Sequence, residues 1–86
     1  MIPADFGIKM RSHGRWINVS IVGDADASHI PDVERFLRKR VMRGIDRRGV
    51  EVDLHEVTSI DEGVLQVLFE MRGQLNMRSR PFRFRK

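Results

Sequence analysis

The sequence predicts a single α/β domain spanning residues 1–86, with a mixed β-sheet and the element order β-β-α-β-α-β. Four stretches alternate apolar and polar residues, which is the period of a half-buried strand. Two stretches carry apolar residues three and four positions apart, which is the period of a helix packed on one side. Since 86 residues are enough for one hydrophobic core and not for two, no second domain is expected.

The first two strands are expected to form an antiparallel hairpin. Phe6–Arg11 alternates, Ser12–Arg15 contains Gly14 and suits a tight turn, and Trp16–Val22 alternates again. The Asp- and Gly-containing stretch Gly23–Ser28 is typical of a loop and ends the second strand.

A first helix is expected over residues 28–44. Asp26 or Ser28 can cap its start, Pro31 is tolerated in its first turn, and Gly44 supplies a stop signal. The apolar stripe at helical spacing consists of Ile30, Val33, Phe36, Leu37 and Val41.

The second half of the chain predicts a strand, a helix and a strand. Val50–Leu54 alternates and lies between two helices, so we expect a central strand, parallel to its neighbours. Thr58–Asp61 is interpreted as the turn into a second helix over residues 62–76. Pro81–Arg85 begins with a helix breaker and then alternates, which indicates a last strand.

Composition excludes several classes of function. The chain has no cysteine, which excludes disulfides, thiol catalysis and cysteine-based zinc sites. No apolar run approaches the roughly 18 residues of a membrane span, and residues 1–5 do not resemble a signal peptide. We therefore expect a cytoplasmic protein without membrane insertion. The net charge is +4, with six basic and no acidic side chains in residues 71–86, whereas residues 51–62 carry five acidic side chains and no Lys or Arg.

Motifs for catalysis or metal binding are missing from the sequence. His13, His29 and His55 fall in three different predicted elements, so no metal site is expected. Asp24 and Asp26 could form an acid–base pair, but turn formation and helix capping explain them more simply. Neither a glycine-rich phosphate loop nor GxSxG occurs, so we expect neither a cofactor nor an enzyme.

The C-terminal end leaves one alternative open. Its basic residues interleave with Phe82 and Phe84, which is compatible with binding a nucleic-acid strand by charge and stacking. A core strand that buries both phenylalanines and points its arginines at water explains the same alternation, so nucleic acid is the less favoured partner. The basic residues concerned are Arg78, Arg80, Arg83, Arg85 and Lys86.

Four segments, taken in order, resemble a STAS domain of the anti-sigma-factor-antagonist type. Trp16–Ala27 resembles the second strand of that family and its G-(D/E)-x-D-x loop, and Val50–Leu54 resembles the central strand. Val57–Leu68, which reads VTSIDEGVLQVL, is similar to the family pattern V-T-(F/Y)-(I/M)-D-S-S-G-L-(G)-V-L. Arg80–Phe84 resembles the strand that follows the second helix. The resemblance covers residues 6–86 and implies a non-enzymatic protein–protein interaction module.

The resemblance also implies a binding site at the start of the second helix. In phosphorylatable members, a switch kinase that is itself the anti-sigma factor modifies the second serine of D-S-S-G. Gly63 takes the place of that phosphoacceptor, so this chain has no hydroxyl there and is expected to bind without modification. The implied partner is such a kinase. The implied partner-binding residues are Asp24, Asp26, Ser59, Asp61, Glu62, Gly63 and Val64.

Two further expectations follow from the resemblance. STAS-like subunits also attach to ABC-type lipid transporters, and the sequence does not separate an accessory subunit of that kind from an anti-sigma-factor antagonist. Family members usually add another strand and a helix after the strand that resembles Pro81–Arg85. Since this chain stops there, part of its sheet would be left uncovered, and self-association is expected.

Overall fold

The computed structural model describes residues 5–85. Two expectations therefore concern residues outside the described ones: the signal-peptide expectation includes Met1–Ala4, and the expectation for the basic C-terminal residues includes Lys86. The mixed α/β fold predicted from the sequence is confirmed. Five strands form the sheet: β1 (Gly7–His13), β2 (Trp16–Ala25), β3 (Gly49–Asp53), β4 (Val57–Ile60) and β5 (Phe82–Phe84). The two α-helices are α1 (Ile30–Phe36) and α2 (Glu62–Met77).

The opening hairpin forms as the sequence predicts, and both strands are longer than expected. β1 pairs antiparallel with β2, from Gly7 opposite Val22 to His13 opposite Trp16. The two-residue turn between the strands begins with Gly14, whose φ of 60° lies in the left-handed region that glycine favours.

The remaining strands are parallel, and β3 is central. The hydrogen-bonded order is β1-β2-β3-β5, with β3 parallel to both of its neighbours. The prediction for Thr58–Asp61 was wrong, because Val57–Ile60 forms β4 and pairs in parallel with Gly23–Ala25 at the end of β2. Thr58 and Ser59, in the middle of this short segment, are polar and exposed. The segment therefore lacks the apolar–polar alternation that would indicate a strand.

The first helical region differs from the predicted helix over residues 28–44. It consists of a 3₁₀ turn at Ala27–His29, then α1, then a π-helical turn at Leu37–Val41. The π turn closes with the amide of Met42 donating to the Leu37 carbonyl at 2.8 Å. Helical structure therefore ends three residues earlier than predicted. Asp26 caps the 3₁₀ turn, as expected for one of the two proposed caps.

The second helix, α2, agrees with its prediction to within one residue, since it runs over Glu62–Met77. The two helices run in the same direction. Ile30 at the start of α1 lies against Gly63 at the start of α2. At the other end, Arg78 after α2 donates to the carbonyl of Met42 at 3.5 Å.

The hydrophobic core lies between one face of the sheet and the helices. Alternate residues of β2 are buried, whereas Asn18 and Ser20 on the other face are only half-buried. All of the expected apolar stripe of the first helix is buried or half-buried. The buried core residues are Ile17, Val19, Ile21, Ala25, Val33, Leu37, Val41, Val50, Val52, Val64, Leu68, Met71 and Leu75.

Candidate functional site

The candidate site lies where the ends of two parallel strands meet the start of α2. The amide of Asp61 donates to the carbonyl of Ala25 at 2.8 Å, which ties the end of β4 to the end of β2. In the same register Asp24 lies opposite Ser59. The carboxyl ends of parallel strands share one edge of a sheet, so the loop after β2 and the first turn of α2 form one surface.

The structure brings Asp24 and Ser59 into direct contact. The Ser59 hydroxyl donates to Oδ1 of Asp24, and both residues are exposed. Asp26 lies two residues further along, and its carboxylate accepts from the backbone amide of Ser28 at 2.9 Å and from its hydroxyl. The hydrogen bond from the Ser28 side chain is the main reason that the pKa of Asp26 is lowered, so this carboxylate is ionised at neutral pH.

Two further carboxylates lie at the positive end of the α2 dipole. Asp61 is the N-cap, and its Oδ1 accepts from the amide of Gly63 at 2.7 Å. Glu62 follows in the first turn, where its side chain is exposed to solvent. Asp61 therefore holds the helix start in place, while Glu62 is free to meet a partner.

The space beside Gly63, the position of the implied phosphoacceptor, is filled by the side chain of Ile30 in α1. A Cβ atom at this position would lie 2.5 Å from Cδ1 of Ile30 and 3.0 Å from Oδ1 of Asp61. Ile30 is thus part of the candidate site, although no local sequence pattern points to it, because 33 positions separate it from Gly63. The backbone comes close to α1 here in a way that only glycine permits without a shift.

Val64 corrects one sequence expectation. Its side chain is fully buried in the core and is not available to a partner. The structure therefore places six of the seven expected residues on the surface or at its edge, and we call this surface the acidic end: Asp24, Asp26, Ser59, Asp61, Glu62 and Gly63.

The charge around the acidic end has one sign. No Lys or Arg occurs in residues 16–34 or in residues 49–71, and these two segments contain the loop after β2, the start of α1, β4 and most of α2. The acidic end therefore presents carboxylates that basic side chains from its own segments do not offset. Such a surface attracts a basic partner and repels an acidic one.

The basic C-terminal residues lie elsewhere and are mostly engaged. The expectation that Arg80 is exposed was wrong: its side chain is 1% exposed, because its Nε donates to the Arg48 carbonyl and its Nη1 to the Val41 carbonyl. Arg83 donates to Glu51 at 2.8 Å and stacks over the Trp16 ring. These contacts engage Arg80 and Arg83 within the fold and make both less available to a nucleic-acid backbone.

Phe82 and Phe84 are half-buried and pack edge to face, with ring centroids 5.1 Å apart. Both belong to the partly buried residues that pack against the core. This arrangement agrees with the core-strand interpretation of the C-terminal alternation. It offers no open aromatic platform on which bases could stack.

The histidines do not converge. His13 ends β1, His29 ends the 3₁₀ turn and stacks on Phe6 with centroids 3.9 Å apart, and His55 follows β3. Within residues 5–85 no group of three or more His, Cys, Asp or Glu side chains is placed to hold a metal ion. No helix in the described part of the chain is long and apolar enough to cross a membrane.

The structure is a small mixed α/β domain, with a five-stranded sheet and parallel helices on one of its faces. A family model described as "Mlab, STAS domain" matches residues 8–86. The chain therefore belongs to the STAS domain family. Membership of this family supports a role in protein interaction at that coarse level.

The fold is also similar to that of a solved protein. The antisigma-factor antagonist STAS domain from Rhodobacter sphaeroides, known from a crystal structure, matches with a TM-score of 0.71 at 17% sequence identity. The match covers 92% of this chain and 84% of that one, and at this identity it shows a common fold. A search of curated proteins found no match.

Proposed function

We propose that this protein is a non-enzymatic, cytoplasmic protein-binding module that captures a regulatory partner through its acidic end. The observation that supports the proposal is the exposed first turn of α2, where Glu62 faces solvent beside the N-cap Asp61. Asp24 and Asp26 extend the same negative surface across the neighbouring loop. The partner would present a basic face to these carboxylates, because complementary charge steers and aligns binding partners.

The binding would be independent of phosphorylation at the acceptor position. Gly63 has no hydroxyl, and the Ile30 side chain occupies the space into which a side chain would project. The nearby Ser59 lies in β4, before the start of α2, so it does not match the acceptor position. Glu62 carries one negative charge, whereas a phosphoserine carries about −1.5 to −2. The acidic end therefore corresponds to the unmodified state, which is the binding-competent one in the antagonists that this chain resembles.

The resemblance assigns the partner to one of two classes. The first is an anti-sigma switch kinase, and this class agrees with the fold shared with the antisigma-factor antagonist domain. The second is an ABC-type transporter to which the chain would attach as an accessory subunit. Both would use the same helix start, so the identity of the captured protein distinguishes them.

The test is a capture experiment with matched baits. The parent chain and its Glu62→Lys and Glu70→Lys variants are immobilised, and proteins retained from the native host are identified by mass spectrometry. Both glutamates are exposed and lie on α2, about 12 Å apart along the helix axis. We expect a partner that the parent and Glu70→Lys retain and Glu62→Lys loses. Retention by all three baits would place the interface away from the acidic end.

A further inference from the structure

The end of the molecule opposite the acidic end is strongly basic. Lys39 and Arg40 lie in the last helical turn before Met42, Arg43 and Arg47 lie in the loop to β3, and Arg78 follows α2. All five are exposed, and among the described residues none of them lies within ion-pair distance of a carboxylate. We call these five residues the basic end.

The one acidic residue in this loop does not offset their charge. Asp46 is tied to Arg48, whose Nη2 lies 2.8 Å from its Oδ2, and Arg80 approaches it at 3.8 Å. The hydrogen bonds from Arg48 lower the pKa of Asp46 to about 2. Its carboxylate is therefore already paired within the fold, and the surrounding arginines face solvent without a counter-charge from it.

Two apolar side chains project from the same end. Ile45 lies in the middle of residues 42–48, which we call the basic loop, and its side chain is 95% exposed. The side chain of Met77, beside Arg78, is 88% exposed. The hydrogen bond from Arg78 to the Met42 carbonyl brings the end of α2 next to this loop. Neither side chain contributes to the core, so their exposure among arginines is a property of the surface.

We propose that the basic end docks on the surface of an anionic lipid bilayer. Lipid phosphates would meet the five cationic side chains, while Ile45 and Met77 would enter the boundary between headgroups and acyl chains. Charge and apolar contact together are the two contributions that peripheral proteins combine on such surfaces. This is contact through a loop and a helix end, and it differs from the insertion of a helix.

The apolar pair favours lipid over nucleic acid as the occupant. A nucleic-acid backbone offers phosphates to the cations but nothing apolar to Ile45, and neither Ile45 nor Met77 has a planar face on which bases could stack. An anionic bilayer satisfies both kinds of side chain. The inference does not depend on the proposed function, because it concerns the opposite end of the molecule.

The two ends are about 24 Å apart, since α2 has 16 residues and begins at one end and finishes at the other. A molecule lying on lipid by its basic end would hold the acidic end away from the membrane. Glu62 and its neighbours would then face away from the lipid and remain open to a protein partner.

The test is co-sedimentation with vesicles in about 150 mM NaCl, where exposed charges more than about 8 Å apart are screened. Vesicles of phosphatidylcholine with about 30% phosphatidylglycerol are compared with phosphatidylcholine alone. We expect binding to the anionic vesicles only, falling as salt rises. Arg43→Glu/Arg47→Glu should weaken binding by at least about 25-fold, because each basic residue near such a surface contributes about fivefold. Ile45→Ser should weaken it by about threefold or more.

The matched control is Lys9→Glu/Arg11→Glu, which changes the net charge equally on exposed residues of β1. We expect it to weaken binding by less than about fivefold, since both side chains lie on β1 and neither belongs to the basic end. All variants should keep the parent melting temperature, because the altered side chains are exposed. Equal loss in both double variants would overturn the proposal, as would absence of vesicle binding. Tighter binding to duplex DNA, insensitive to Ile45→Ser, would replace lipid by nucleic acid.

Discussion

Arg80 is buried where three segments of the chain meet, and its side chain holds them together through hydrogen bonds to backbone carbonyls. Its guanidinium donates to the carbonyls of Arg48 at 2.6 Å and Val41 at 3.0 Å, and Asp46 lies 3.8 Å from its Nη2, which makes no hydrogen bond. Burial lowers the pKa of Arg80, and the Asp46 carboxylate opposes that shift. A guanidinium is not deprotonated in proteins, so the buried side chain is a cation. It connects the π turn, the basic loop and the start of β5.

Replacing Arg80 by Met keeps a long apolar side chain and removes both donors. The carbonyls of Val41 and Arg48 then lose their partner, at a cost of about 1–3 kcal/mol each when buried. Asp46 keeps Arg48 but loses its second cation. The fold no longer has to desolvate a cation, which offsets part of the loss. The loss of two hydrogen-bond donors, less this offset, gives an expected net destabilisation of about 2–4 kcal/mol.

The assay is thermal unfolding followed by circular dichroism, with Arg78→Met as the matched control. A domain of this size loses about 4–8 °C per kcal/mol, so Arg80→Met should melt at least about 8 °C below the parent. Arg78 is exposed and makes one long hydrogen bond, so its replacement should cost less than about 0.5 kcal/mol. Equal melting temperatures for the two variants would refute the reasoning.

Three further predictions follow from individual contacts. Gly63→Ala should force Cδ1 of Ile30 to shift, and this overpacking should offset the roughly 1 kcal/mol by which Ala favours a helix over Gly, for a net cost of about 0–2 kcal/mol. The effect should be more favourable in an Ile30→Val background, measured by a double-mutant cycle in urea, whereas additivity would contradict the contact. The ionised Asp46 carboxylate should stabilise the fold at pH values above its ordinary pKa of 3.8, and this stabilisation should be lost as the pH falls toward its folded-state pKa of about 2. The parent should therefore melt above Asp46→Asn at neutral pH, with a difference that shrinks in acid; a difference that stays constant from about pH 7 to about pH 2 would contradict this. Phe69 is 45% exposed and packs edge to face with Phe84 at the sheet edge, so we expect the chain to self-associate there at tens of micromolar. Phe69→Ser should weaken this self-association in analytical ultracentrifugation, and a parent chain that sediments only as a monomer would exclude it.

Most of the fold was predictable because periodicity follows burial. The alternation in β2 and the spacing in α2 mirror which side chains enter the core, and both elements formed where expected. β4 was missed because its two central residues are polar and exposed, so only its pairing with β2 marks it as a strand. Local pattern carries little information about such a segment.

The site was predictable in its polar residues and not in its packing. Asp61 followed from helix-capping chemistry, which is local in sequence. The contact of Ile30 with Gly63 and the burial of Arg80 depend on residues more than 30 positions apart, so no local pattern reveals them. Val64 was misplaced because a family motif marks positions without separating those that bind from those that pack.

The central claim is that the acidic end binds a basic partner without phosphorylation. Its most direct test is isothermal titration calorimetry, in which the purified captured protein is titrated with the unmodified parent chain and with the Glu62→Lys and Glu70→Lys variants to measure each dissociation constant. We expect the parent and Glu70→Lys to bind with similar affinity and Glu62→Lys to bind at least about tenfold more weakly, because a repulsive charge would face the partner. Parent-like binding by Glu62→Lys, or binding that requires prior treatment with a kinase, would contradict the claim.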